Sequence, residues 1–158
     1  MDSPALRLDH LRVATRRTAD QLLAEARERI GRFSPEEADA AARDGALIVD
    51  IRSELQRDRL GVIRGSLHIP RTVLEWRVEQ DGRWRNPHVG GLERQLIVVC
   101  DDGYASSLAA ATLADLGFAD PRDVIGGFSA WRAAGLPIAP APAPRAPDVL
   151  AGMGPPEP

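Results

Sequence analysis

The chain contains no lysine; all 20 of its basic residues are arginine. That absence excludes Schiff-base chemistry and the phosphate-binding P-loop, both of which need a lysine amine. Cys100 is the single cysteine, so no internal disulfide can form. With only His10, His68 and His88 beside it, no zinc-ligand spacing can be drawn, and a structural metal is not expected. No apolar run approaches the roughly 18 residues of a membrane-spanning helix, and the amino end lacks a basic-then-apolar signal, so the reading is a cytoplasmic protein with no membrane partner. The net charge of -3 and pI near 5.6 speak against a nucleic-acid partner. Seven arginines against five acids in residues 1–32 leave only a slight basic bias there. What is present, 158 residues with 44% hydrophobic and 27% charged, fits one folded domain with some excess length.

The excess lies at the ends. Residues 137–158 hold eight of the 13 prolines, with no apolar periodicity, so 139–158 is expected to be a disordered, solvated spacer. Residues 15–29 place Leu22, Leu23, Ala26 and Ile30 on one side of a helix, which makes 1–29 a helical extension able to pack on a domain spanning 30–138.

Inside that domain, helices alternate with short apolar runs. Ser34 is an N-cap, Pro35 takes the first helical position, Glu37 completes a capping box and Gly45 ends the helix. ALIVDI follows as a buried strand ending at Asp50. LEWRVE after Pro70 reads as helical, QLIVVC as a second buried strand, Ala105 to Leu116 as a helix closed by Gly117, and DVIG as a shorter strand. GGFSAWRAAGLP supplies a last helix, with Phe128 and Trp131 facing inward. The pattern predicts an α/β fold, a central and mostly parallel sheet with helices on both faces, ALIVDI and QLIVVC being neighbours in it. VEQDGRWRNPHVGG reads as a long surface loop carrying Trp84, with Trp76 just before it.

Cys100 ends a buried strand and is followed by DDGYASS and then a helix, so it sits at the carboxyl edge of the sheet, where open α/β sheets bind ligands. The tight turn brings backbone N–H groups round the sulfur, and these with the helix dipole stabilise a thiolate or a bound anion. A buried, inert cysteine is the alternative, but that residue type more often lies within a strand than at such an elbow.

Four segments in order resemble the rhodanese family of sulfurtransferases: LIVDIR (47–52), GVIRGSLHIP (61–70), IVVCDDGYASS (97–107) and GGFSAWRAAGLPI (126–138). The resemblance implies a single rhodanese-like domain in which Cys100 takes a sulfane sulfur from a small donor such as thiosulfate. The cysteine then carries that sulfur as a persulfide and gives it to a thiol, a protein thiol or cyanide. It further implies that Asp101, Asp102, Gly103, Tyr104, Ala105 and Ser106 form the anion-binding loop, with no cofactor. Asp50 matches the family's strand-end aspartate and is read as architectural.

The loop departs from the family's basic or hydroxyl pattern by carrying Asp101 and Asp102, each of which opposes a new negative charge on the sulfur by about 1 kcal/mol. Arg52, Arg57 and Arg71 are the candidate compensating charges. A Cys-x5-Arg phosphatase loop is excluded because Ser106 stands where the arginine must be. His68, on a short strand, reads as a satisfied structural histidine. The acidic loop keeps a second class of function open: a catalytically weak module that binds a partner or senses redox state through Cys100. Donor, acceptor and oligomeric state are not legible.

Overall fold

The computed structural model describes residues 15–146 and 149–158. His10 and the first half of the N-terminal extension lie outside them. The described elements run α1 (Ala19–Glu28), β1 (Gly31–Phe33), α2 (Pro35–Arg43), β2 (Leu47–Asp50), α3 (Glu54–Leu60) and β3 (Leu67–His68). After a 3₁₀ turn at Arg71–Val73 follow α4 (Leu74–Val78), β4 (Leu96–Val99), α5 (Ala105–Asp115), β5 (Arg122–Val124) and α6 (Gly127–Ala133). Among the described residues, no helix is long and apolar enough to cross a membrane.

The five strands form one sheet in the order β1-β5-β4-β2-β3, with every pairing parallel. β2 and β4 are neighbours, as expected, with Leu47 opposite Leu96 and Asp50 opposite Val99. All eight of their residues are buried, because each strand feeds two cores. Leu47, Val49, Leu96, Val98 and Cys100 point into one core with Leu74, Ala109 and Leu113. Ile48, Ile97 and Val99 point into the other with Ala38, Phe128 and Trp131. Side chains alternating across a strand assign α4 and α5 to one face and α2 and α6 to the other. At roughly 1.5–3 kcal/mol for each large side chain removed from water, these two cores supply the main driving force.

The caps behave as the sequence requires. Ser34 and Glu37 form the reciprocal capping box, with hydrogen bonds of 3.0 and 3.1 Å. The same device, Ser53 with Gln56, starts α3, a helix that the sequence reading passed over. β1 was also missed; at three half-buried residues it carries no periodicity.

The C-terminal segment differs most from expectation. Residues 149–158 lie against the domain instead of standing in solvent. The Glu157 N–H donates to the Ser66 carbonyl (2.8 Å), and the Gly65 N–H donates to the Glu157 carbonyl (2.9 Å). Asn86 Nδ2 donates to the carbonyls of Gly152 and Gly154, both at 2.9 Å, and Arg77 Nε donates to that of Ala151 at 2.7 Å. A proline-rich chain has few donors of its own, but its carbonyls can be satisfied where the domain brings the donors.

Candidate active site

β4 delivers Cys100 to the carboxyl edge of the sheet, and the loop 101–104 turns the chain directly into α5. Tyr104, the cap residue of α5, provides no side-chain cap, so the first N–H groups of the helix are free of that duty. The sulfur takes the role instead. Cys100 Sγ accepts the N–H of Gly103 at 3.2 Å and that of Ser106 at 3.4 Å, while the residue stays 7% exposed.

Two glycine positions make this turn feasible. Gly103 has φ +87°, and a Cβ there would lie 2.7 Å from the backbone nitrogen of Gly126. Gly127, at φ +62°, would place a Cβ 2.5 Å from the Cys100 carbonyl oxygen. With both bare, α6 approaches closely enough for the N–H of Phe128 to bond the Cys100 carbonyl (2.8 Å) and that of Ser129 to bond the Asp101 carbonyl (3.0 Å).

In front of the sulfur lies an open cavity of about 250 Å³, lined by Ile51, Arg52, Gln56, Arg71, Cys100, Asp101, Asp102, Tyr104 and Ala105. Of the candidate residues it gathers Cys100, Asp101, Asp102, Tyr104, Ala105, Arg52 and Arg71. Arg57 is not among them. Arg57 turns away to His68 Nδ1 (3.1 Å), to Asp50 (3.6 Å) and to the carboxylate of Glu157. Asp102 is exposed and accepts from the Ser129 hydroxyl at 3.0 Å, whereas one oxygen of Asp101 is buried without a donor among the described residues. Arg71 is partly exposed and paired with Glu75 at 2.7 Å.

Asp50 holds Arg52 bidentately, at 3.0 and 2.8 Å, and accepts the Arg52 backbone N–H at 3.1 Å. Arg52 also reaches the Gly61 carbonyl (2.8 Å), and its guanidinium lies 3.8 Å from the centroid of the Phe128 ring. Its Nη1 is buried with no acceptor among the described residues. His68 bonds the Arg52 carbonyl through Nε2 at 2.8 Å, so that nitrogen carries the proton and Nδ1 accepts from Arg57. Burial lowers the His68 pKa from its ordinary value of 6.5 and the Arg57 charge adds to this, partly opposed by the hydrogen bond to Arg52.

Behind the loop is a second cluster that the sequence reading did not find. Asp123, fully buried on β5, accepts the hydroxyls of Ser106 and Ser107, both at 2.8 Å, and pairs with Arg32 of β1 at 2.8 and 3.2 Å. Arg32 and Arg27 both donate to the Gly103 carbonyl, at 3.2 and 2.9 Å. One signal was there to read: an acid inside the apolar strand DVIG must have a partner if it is buried.

The rhodanese-like domain model matches residues 34–134. Thiosulfate sulfurtransferase GlpE of Pseudomonas savastanoi is 35% identical over 103 residues, covering 65% of this chain and 87% of its own. The same-named protein of Ectopseudomonas mendocina is 37% identical over 102 residues, with coverage of 65% and 84%. Among solved structures, RPA3614 of Rhodopseudomonas palustris, a protein of unknown function described as a possible tyrosine phosphatase, superposes with TM-score 0.72 at 32% identity, covering 78% of this chain and 95% of its own.

Proposed function

This chain belongs to the rhodanese-like domain family, and from that premise we propose that it is a sulfurtransferase whose sulfur carrier is Cys100, working in the cytoplasm without a cofactor on a domain spanning residues 30–138. The observation that carries the reading is the sulfur itself, at the edge of an open cavity and held by the N–H groups of Gly103 and Ser106.

The Cys100 thiolate attacks the sulfane sulfur of a small donor. The bond between that sulfur and the rest of the donor breaks, and its electron pair departs with the leaving anion, sulfite when the donor is thiosulfate. Cys100 is left as a persulfide whose terminal sulfur is negative. A thiolate or cyanide then attacks that terminal sulfur, and the Cys100 thiolate is released. Backbone N–H groups of residues 101–106 support the charge in each anionic state, since donors already aimed at the sulfur need no reorganisation when the charge arrives. Arg52 and Arg71 line the same cavity, but Arg52 is already neutralised by Asp50 and Arg71 is shared with Glu75, so they offset the two loop carboxylates only in part where the donor enters.

A phosphatase reading, prompted by the description of the R. palustris neighbour, lacks its central group. The position that would need an arginine is Ser106, and its hydroxyl is already bonded to Asp123. Intact-mass measurement after incubation with thiosulfate, and separately with an organic polysulfide, tests the proposal. The expected result is one added sulfur, removed by cyanide and absent in Cys100→Ser. No added sulfur from either donor would reject it in favour of a binding or redox-sensing module.

A further inference from the structure

The loop that holds Cys100 has two sides. Toward the cavity it carries two acids and no base; on its other side, the Gly103 carbonyl accepts two guanidinium N–H groups, from Arg27 Nη2 at 2.9 Å and Arg32 Nη2 at 3.2 Å. Both arginines precede residue 34, where the family match begins. They arrive on α1 and β1, and α1 packs along α5 beside the loop.

We propose that Arg27 and Arg32 are positioning residues for the Cys100 loop, acting through the Gly103 carbonyl, and that this is what the residues ahead of the family match contribute to the chemistry. Only the catalytic consequence of this positioning rests on the sulfurtransferase reading. Gly103 contributes its N–H to the Cys100 sulfur and its carbonyl to the two arginines. Because a trans peptide sets C=O and N–H in opposite directions, fixing that carbonyl also turns the Tyr104 N–H away from the arginines. Two charged hydrogen bonds on one carbonyl make a flip of this peptide costly, at a glycine that its missing Cβ would otherwise leave free to flip.

The arginines are themselves held. Arg32 is fixed by the buried carboxylate of Asp123, with Arg32 opposite Asp123 in the β1–β5 register. Arg27 Nε donates to the Ser107 hydroxyl (3.1 Å), and that hydroxyl donates to Asp123 (2.8 Å). The relay links α1, β1, β5, the loop and the first turn of α5, which is the turn whose Ser106 N–H meets the sulfur. The guanidiniums also bring positive charge to a loop that has none of its own.

Arg27 is the residue to test, because Arg27→Gln leaves the Asp123–Arg32 pair intact. In the full chain, three readouts are taken together: the pH profile of Cys100 alkylation, kcat and KM for sulfur transfer, and the melting temperature. Arg27→Gln should move alkylation to higher pH and lower kcat about tenfold, with partial recovery in Arg27→Lys. Arg17→Gln, on the exposed Arg17–Glu25 pair just ahead of the same helix, should leave all three readouts at the parent value. A lower melting temperature with an unchanged alkylation profile would mean that α1 only buttresses the fold, and the proposal would be overturned, as it would be if nothing changed. The alkylation profile needs no sulfur donor. A parent that never forms a persulfide would therefore reject the sulfurtransferase reading while leaving the positioning test decisive.

Discussion

Two buried aspartates flank the cysteine strand, and they do different work. Asp50 ends β2 on one side of β4, and Asp123 lies in β5 on the other. Each is almost wholly buried and each is neutralised by arginine. The Asp50 cluster faces outward through the fold: Arg52, Arg57, His68 and Glu157 tie α3, β3 and the C-terminal segment together, and of these only Arg52 lines the Cys100 cavity. The Asp123 cluster faces the loop itself, through Ser106, Ser107 and the arginines on the Gly103 carbonyl. One aspartate is chiefly about holding the domain closed, the other about where the sulfur's donors point.

The largest separation should come from removing each carboxylate. Asp50→Ala strands Arg52, whose side chain is wholly inaccessible, and should cost about 3–5 kcal/mol. Arg32 retains 19% exposure and can turn to water, so Asp123→Ala should cost less, about 2–3 kcal/mol. Urea unfolding of the two variants measures the order. Alkylation of Cys100 should shift further in Asp123→Ala than in Asp50→Ala; equal shifts in both would erase the distinction.

A smaller effect tests the outward reach of the Asp50 side. Deleting residues 149–158 removes the Glu157 carboxylate from Arg57 and leaves the Asn86 amide and the Arg77 Nε without their carbonyl partners. A loss of about 2 kcal/mol is expected, with the alkylation profile unchanged. An unchanged melting curve would show that the segment does not hold in solution.

His68 sharpens the same side by pH. Its folded-state pKa lies below the unfolded value of 6.5, chiefly through burial, so the unfolded chain takes up the proton first. The stability it contributes is complete above pH 6.5 and declines as pH falls through the window between the two values. Protonation would also set a second positive charge against Arg57, with Asp50 and Glu157 only partly compensating. Unfolding free energy measured at pH 7.5 and 6.0 should decrease, and His68→Gln should flatten that slope; a slope unaltered by the substitution would place its origin elsewhere.

Separation along the chain decides which of these contacts the sequence discloses. Asp50 and Arg52 are two residues apart, so a strand-end motif of six letters contains the pair, and Cys100, Gly103, Gly126 and Gly127 stand in equally local signatures. The buried runs ALIVDI and QLIVVC likewise disclosed two adjacent central strands, because burial on both faces leaves an apolar run with no polar alternation. Asp123 and Arg32 are separated by 91 positions and meet only because β1 and β5 pair. β1 has three residues and no hydrophobic pattern, so nothing local announced it. Glu157 and Arg57 are 100 positions apart, and composition alone made the C-terminal segment look unable to dock. Arg57 is a candidate compensating charge by its place on a neighbouring element, while the fold engages it with His68, Asp50 and Glu157 and not with the cavity.

The smallest expected effect concerns the loop acids, and it asks whether the cavity side is as indifferent to single charges as its exposure suggests. Asp102 is exposed, and its carboxylate is held by the Ser129 hydroxyl at 3.0 Å, away from any buried partner. Water and salt screen such a group well, so Asp102→Asn should raise kcat/KM for an anionic donor only about twofold at low ionic strength, and the gain should vanish in high salt. Asp101 is half-buried with one oxygen lacking a donor among the described residues, so its charge is less screened and Asp101→Asn should give the larger gain of the two. An uncharged donor, such as an organic polysulfide without acidic groups, should show neither gain, which separates donor repulsion from any change in the thiolate. Thiosulfate:cyanide turnover at two ionic strengths, repeated with that neutral donor, decides it. If Asp102→Asn exceeds Asp101→Asn, the buried oxygen of Asp101 points away from the incoming anion and the cavity's charge is set by its rim.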